Sequence, residues 1–334
     1  MDMTESRSLD SFLRGEESGF GACINVVDTV LSRLYFYDST VVKWYKPAIA
    51  YYGDLQSLES RKVFYQEDFD WNQCVSPDIY QELRGITQDS LGHFKYTPIV
   101  DASDFLIIMS LVKDSKTLTD LLLTDSVSHE LLTRTLITLS NATEQLALSP
   151  DTRISRSIDS KKISYKNLYD SNIVDLRSQL ERAGQFITSG EVDGLVNAML
   201  DILAEIQAEN NLDPVLVPAI DCHADNILVT PDEKIYLIDV MFPKENWRHL
   251  DILHAPARLL ANVAVLGNPS LYDTQYKKCT SVLSETERRI FLLHELRTTA
   301  MQWSRRHLLG EHGLAEDFHA RLNKLMTPSR QEPG

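Results

Sequence analysis

Asp221, His223 and Asn226 lie within the short stretch AIDCHADN, and a further carboxylate, Asp239, closes the apolar run IYLID. NILVT and IYLID read as strands joined by the turn PDEK. Paired across a four-residue turn, they set Thr230 opposite Ile235, Val229 opposite Tyr236 and Asn226 opposite Asp239. An amide oxygen and a carboxylate would then share the open end of one hairpin, with Asp221 on the loop entering it. Hard oxygen donors of this kind suit Mg²⁺, which takes one or two protein ligands and completes its shell with water and phosphate oxygens. An Asp followed five residues later by an Asn and, past a hairpin, by a metal-binding Asp is the arrangement that phosphoryl transfer uses. The ligand expected here is therefore a magnesium nucleotide. An Asx-rich loop between core strands could hold the same residue types, and the spacing to Asp239 decides for chemistry. His223 reads either as a hydrogen-bonded core histidine or as a member of the catalytic loop.

The elements that must position these groups fall into two parts. From Ile24 to Lys46 the chain reads as strands, INVVDTVLS, RLYFY and TVVKWYK, the last two separated by a turn at DS. Residues 57–74 carry Val63, Phe64, Phe69 and Trp71 among charges and predict an amphipathic helix. GHFKYTPIV and DFLIIMSLV predict two more strands, the second apolar enough to be buried on both faces. From about Thr117 the period turns helical: Leu131, Leu132, Thr135, Leu136 and Leu139 share one face, as do Leu195, Met199, Leu203 and Ile206. SETE predicts a capping box, Ser284 with Glu287, ahead of IFLLHEL. A polar tract around residues 149–166 is expected to be mobile. Trp44, Trp71, Trp247 and Trp303 are read as packing residues.

Bulk composition sets outer limits. With 334 residues, 43% of them hydrophobic, the chain can bury a large core. Its four cysteines, Cys23, Cys74, Cys222 and Cys279, lack any metal or disulfide spacing, which fits a reducing, cytoplasmic setting. The longest apolar run, near FLIIMSLV, is far short of the ~20 residues that span a bilayer, and the N-terminal residues have no signal-peptide pattern. No membrane association is expected. A formal charge of −15 argues against nonspecific nucleic-acid binding and tolerates cationic partners.

AIDCHADN, with Asp239 beyond the hairpin, resembles the aminoglycoside phosphotransferase and choline kinase-like family, whose loop is typically H-G-D-x-H-x-x-N. The segment from TVLSRLYF to PDIY and the later WRHLDILHAPARLLA resemble a poorly characterised bacterial branch of it, so the resemblance touches most of residues 25–265. It implies an α+β, bilobal protein-kinase-like fold: a flexible segment 1–20, a small antiparallel-sheet lobe 21–113 that binds nucleotide, and a larger helical lobe 114–334 with the catalytic loop and acceptor site. Carried over to this chain, Lys43 would contact the nucleotide α- and β-phosphates. Glu67 would pair with it from the helix, although helix phase does not separate Glu67 from Asp68. Met109 to Val112, with Leu111 among them, would be the hinge that grips adenine. Asp251 would buttress the loop through Arg248 or His249. Two departures stand out: Ala219 replaces the first loop histidine, and DTVLS replaces a glycine-rich loop, leaving phosphate cradling to backbone and to the hydroxyls of Thr29 and Ser32.

The reaction expected is transfer of the γ-phosphoryl group of ATP to a hydroxyl of a small molecule, such as an aminoglycoside, another antibiotic, an amino alcohol or a sugar. Asp221 would be the base, His223 would position the loop, and Asn226 and Asp239 would hold Mg²⁺. The alternatives are a protein kinase, against which the lack of an A-P-E segment after Asp239 speaks, and an ATP-binding pseudokinase acting as a scaffold.

Overall fold

The computed structural model describes residues 8–47, 49–50, 53–149, 164–209 and 214–327. The expected mobile tract around 149–166 lies almost wholly outside them. A six-stranded antiparallel sheet forms the first part, in the order β1 (Asn25–Asp28), β2 (Ser32–Phe36), β3 (Thr40–Tyr45), β8 (Asp104–Ser110), β6 (Tyr80–Gln88) and β7 (Phe94–Thr97). A small hairpin, β4 (Ile49–Ala50) with β5 (Gly53–Asp54), follows β3.

Helix α2 (Leu58–Val75) covers one face of this sheet and begins at Ser57, whose side chain accepts the Ser60 N–H. Helix α1 (Leu9–Arg14) lies over the other face, where Phe12 and Leu13 pack with Tyr35, Val42, Leu106 and Ile108. Successive strand residues therefore enter two different cores: Phe105, Ile107 and Met109 join the main core, while Leu106 and Ile108 join the one under α1. That explains why FLIIM, residues 105–109, is apolar throughout. For residues 9–18, which are folded onto the sheet, the structure also corrects the expectation of a flexible 1–20 segment, whose residues 1–7 lie outside the described ones.

Strand β6 was not foreseen. A bulge between Tyr80 and Glu82 breaks its alternation. Within it Gly85 lies so close to Ala102 and to the Thr97 carbonyl that a Cβ would stand 2.7 Å from each, so the strand carries neither a clean period nor an unbroken run of β-formers.

Beyond β9 (Lys116–Thr117) the chain is mostly helical: α3 (Leu118–Leu123), α4 (His129–Ala147), α5 (Tyr165–Glu181), α6 (Ser189–Ala208), α7 (His254–Leu266), α8 (Pro269–Thr280), α9 (Glu285–Leu308) and α10 (His312–Met326). The expected apolar faces of α4 and α6 are buried, with Leu136 partly so. The Ser284–Glu287 capping box is present at α9. Between α6 and α7 lie β10 (Leu216–Pro218), which pairs with β13 (His249–Asp251), and the hairpin of β11 (Ile227–Val229) with β12 (Ile235–Leu237). No helix among the described residues is long and apolar enough to cross a membrane.

Because Phe12 and Leu13 supply α1's buried contacts, Leu13→Ala should cost about 2–5 kcal/mol. The shift of the denaturation midpoint in urea measures this, and a loss below ~0.5 kcal/mol would mean that α1 is dispensable to the sheet.

Candidate active site

Lys43 sits on the face of β3 that also carries Val41 and Tyr45. Only 2% exposed, its ammonium must be paired to remain charged in the interior. Two carboxylates serve it. Asp68 Oδ2 of α2 lies 3.2 Å from Nζ, and Asp239 forms a second, shorter ion pair. These charges together outweigh the desolvation that opposes protonation and push the lysine's pKa upward.

The helix partner is thus Asp68, and the expectation of Glu67 is corrected. Arg61, Tyr65, Asp68 and Asn72 form the inward stripe of α2, all buried. Glu67 is turned about 100° away and meets Arg248 Nη1 at 2.7 Å. Asp68 also accepts from the Tyr45 hydroxyl at 2.8 Å and from Asn72 Nδ2 at 2.9 Å. Even so, burial holds its carboxyl above the usual range.

The hairpin register differs by one residue from the expected one. Ile227 faces Leu237 and Val229 faces Ile235, because the loop is Pro231–Glu233 with Glu233 left-handed (φ 57°), closed by Thr230 N–H to Lys234 O at 3.0 Å. Asn226 is therefore level with Ile238, whose N–H donates to the Asn226 carbonyl at 2.9 Å. A slip of one would ordinarily turn the next side chain to the wrong face. Asp239 is itself left-handed, with φ 51°, and this turn brings the strand end back beside the loop. Val240 O accepts the Asp221 N–H at 2.8 Å, and Ile220 bridges to Met241.

Three residues of the first part pin this segment. The Tyr80 hydroxyl accepts the Asp239 N–H at 3.0 Å, Asn72 Oδ1 accepts the Val240 N–H at 3.0 Å, and the Ser76 hydroxyl donates to Leu237 O at 2.7 Å. Asn226 completes the join, its Nδ2 donating to the carbonyls of Asp221 (2.8 Å) and Asp239 (3.2 Å). With the nitrogen so used, the polar atom that the Asn226 amide can offer a cation is its oxygen. Asp239 presents a half-open carboxylate beside it, its side chain 41% exposed. Two oxygen donors at one cleft fit Mg²⁺, which needs few protein ligands when phosphates supply others.

Asp221 is bound by Arg258 of α7. Burial pushes its carboxyl upward, but the charges of Arg258 and His223 and the Arg258 hydrogen bond prevail and hold it below its ordinary value. His223 is buried; desolvation and the nearby Arg305 depress its pKa to about 4, against the opposing pull of Asp221 and Asp225. It is neutral at pH 7. Asp225 in turn accepts from Thr119 Oγ1 at 2.6 Å and from Arg306 Nη2 at 2.9 Å, and it pairs with Arg305. Arg258, Arg305 and Asp225 were not singled out from the sequence. Both arginines come from helices far along the chain, with no spacing that ties them to the loop.

Ala219 leaves no unbraced loop: its N–H donates to Arg248 O at 2.8 Å, and Asn226 and Arg258 hold Asp221. Asp251 does not buttress the loop through Arg248 or His249. It accepts from the Tyr165 hydroxyl at 2.7 Å and from the Leu253 N–H at 2.9 Å.

A cleft of about 350 Å³ collects Lys43, Asp68, Asp221, His223, Asn226 and Asp239. Thr29 and Ser32 line it too, but their hydroxyls close the β1–β2 turn on each other at 2.9 Å. Met109 and Leu111 do not line it. Met109 packs in the main core, and the Leu111 N–H is held by Ser39 O at 2.9 Å. Trp71 and Trp303 are packing residues, whereas Trp247, though almost fully buried, borders the cleft.

Compared by sequence, the chain matches no family profile and no curated protein. Compared by structure, it superposes on a thermostable mutant of aminoglycoside phosphotransferase APH(4)-Ia with a TM-score of 0.54, at 15% identity over 95% of this chain and 98% of that one. The chain has the aminoglycoside phosphotransferase fold. A choline/ethanolamine kinase family protein from Mesorhizobium loti matches with a TM-score of 0.50, at 12% identity over 95% and 94% of the two chains. The GDP complex of an aminoglycoside 2′-phosphotransferase-IIIa mutant gives 0.52, at 10% identity over 95% and 96%. The α+β, bilobal kinase-like architecture expected from the sequence is borne out.

Two measurements check the site's energetics. Asp68→Ala leaves Lys43 short of a buried partner and should lose about 3–5 kcal/mol of stability, well above the loss from Glu67→Ala; equal losses would contradict the pairing. For His223 the folded pKa of about 4 lies below the unfolded value of about 6.5, so the unfolded chain binds the extra proton between those limits. Its stabilisation is present above pH 6.5 and is lost as pH falls toward 4, on the order of 3 kcal/mol in all. His254 and His294, also depressed by burial, act in the same direction. Urea unfolding of wild type and His223→Gln across pH 4–7 should show a slope smaller by about one proton in the variant.

Proposed function

We propose that the protein is an ATP-dependent phosphotransferase that moves the γ-phosphoryl group to a hydroxyl of a small molecule. The observation that carries this reading is the convergence, in one cleft, of Asp221, Asn226 and Asp239 with the Lys43–Asp68 pair. The likeness in fold to proteins solved with AMP-PNP and hygromycin B, with GDP, and with GDP and kanamycin supports it.

In this reading Asp221 receives the acceptor's hydroxyl proton as the oxygen–phosphorus bond forms and the bond to the ADP leaving group breaks. Arg258 fixes the orientation of that carboxylate. Lys43, freed from part of its pairing with Asp239, contacts the nucleotide phosphates while Asp68 keeps it in place. Asn226 and Asp239 would hold Mg²⁺, and the ion would supply neutralisation of charge on the phosphate oxygens. With the Thr29 and Ser32 hydroxyls engaged in their turn, phosphate cradling falls to the backbone of the β1–β2 loop. An acceptor of small size, a location in the cytoplasm and the absence of membrane or nucleic-acid partners belong to the same proposal.

Asp221→Asn should lower phosphoryl transfer by about 10²- to 10⁴-fold while keeping Mg·ATP affinity. Asp239→Ala should abolish Mg·ATP binding itself. Nucleotide titration and product formation on both variants check this, and unimpaired transfer in Asp221→Asn would remove the carboxylate from the mechanism. Unchanged Mg·ATP affinity in Asp239→Ala would do the same for the metal site.

A further inference from the structure

The wall of the cleft beyond Asp221 is built by α5, α9 and the segment after β12, and its chemistry restricts what can bind there. Among the described residues Asp221 is the one carboxylate on that wall, and it is already paired with Arg258. The other charged side chain is the guanidinium of Arg305, one of whose nitrogens is taken by Asp225. The remaining lining includes Met241, Phe242, Met301 and Leu308.

Between these apolar groups stand two amides. Gln302 is 1% exposed and Gln179 6% exposed, and the side-chain oxygen of each is buried with no hydrogen-bond partner. A buried acceptor without a donor costs about 1–3 kcal/mol, and two of them on residues that line one cleft mark where a ligand's O–H or N–H groups would dock. An ammonium-rich ligand finds no free counter-charge among the described residues of this wall and meets Arg305 besides. Desolvating several amines against such a surface is unfavourable.

Resting on the phosphotransferase reading above, we propose that the acceptor is a hydroxyl compound without ammonium groups. It is uncharged or carries a single carboxylate or phosphate. Its donors are read by Gln179 and Gln302, its anionic group where present by Arg305, and its carbon skeleton by Met241, Phe242 and Met301. The acidity of the whole chain, which tolerates cationic partners, does not extend to this wall. The charge that matters for recognition is local, since fields from exposed carboxylates are screened within about 8–10 Å.

Binding and turnover are to be measured separately on the full chain. With Mg·ADP present, calorimetric titration compares kanamycin and hygromycin B with uridine, myo-inositol, glycerate and glucose 6-phosphate. At least one of the last four should bind ten or more times tighter than either amino sugar. That probe's affinity should fall about tenfold in Gln302→Leu, the loss of one well-made hydrogen bond, and Gln302→Glu should admit the amino sugars. Tighter binding of an amino sugar to the wild type overturns the proposal, and so does failure of all four other probes to bind. Melting curves of both variants show that they are folded. Phosphorylated product from the bound probe is scored independently. Its absence with the binding order intact counts against the phosphotransferase reading and leaves the charge preference supported.

Discussion

A lysine on the middle of a sheet, closed off from water, cannot keep its charge without carboxylates brought to it, and that requirement organises the molecule. Lys43 is met by Asp68 from α2 and by Asp239 from the end of the β11–β12 hairpin, a residue 196 positions away in sequence. Burying an ion pair yields little net stability, while removing one partner is costly because the remaining charge is stranded. The triad therefore acts as a constraint: sheet, helix and hairpin must meet at one point or the lysine is unsatisfied.

The same point is secured by hydrogen bonds that do not involve charge. Asn72 touches both sides, donating to Asp68 and accepting from Val240, and Tyr80 and Ser76 hold the backbone just before Val240, at Asp239 and Leu237. These ties allow Asp239 to keep a left-handed backbone, a conformation that Asp tolerates better than most residues. Strain of this sort persists where neighbours over-determine it, and here it turns a carboxylate into the cleft. On the far side Arg258 does for Asp221 what Asp68 does for Lys43, and Asp225 beside them is held by Arg305 and Arg306. Lys43 and Asp221 are each held by a partner of opposite charge from another element.

How much of this could be read in advance depended on whether the signal was local. The loop AIDCHADN with Asp239 past a hairpin, the amphipathic faces of α4 and α6 and the capping box of α9 are short-range patterns, and the structure contains each of them. Strand β6 was missed because a bulge and a glycine at a crowded crossing spoil its period. The α1 helix is not legible locally, because its two anchoring residues, Phe12 and Leu13, gain their burial from strands downstream.

The sequence by itself determined which residue types could do the chemistry and that they would arrive together, since five residues of loop and one hairpin leave little freedom. Tertiary structure alone decided which of two adjacent acids serves Lys43, because a 100° step along α2 is settled by what packs against it. It alone decided the hairpin register, through a left-handed Glu233 in the turn. It alone supplied Arg258 and Arg305, because a charge brought in by a distant helix leaves no trace in local spacing.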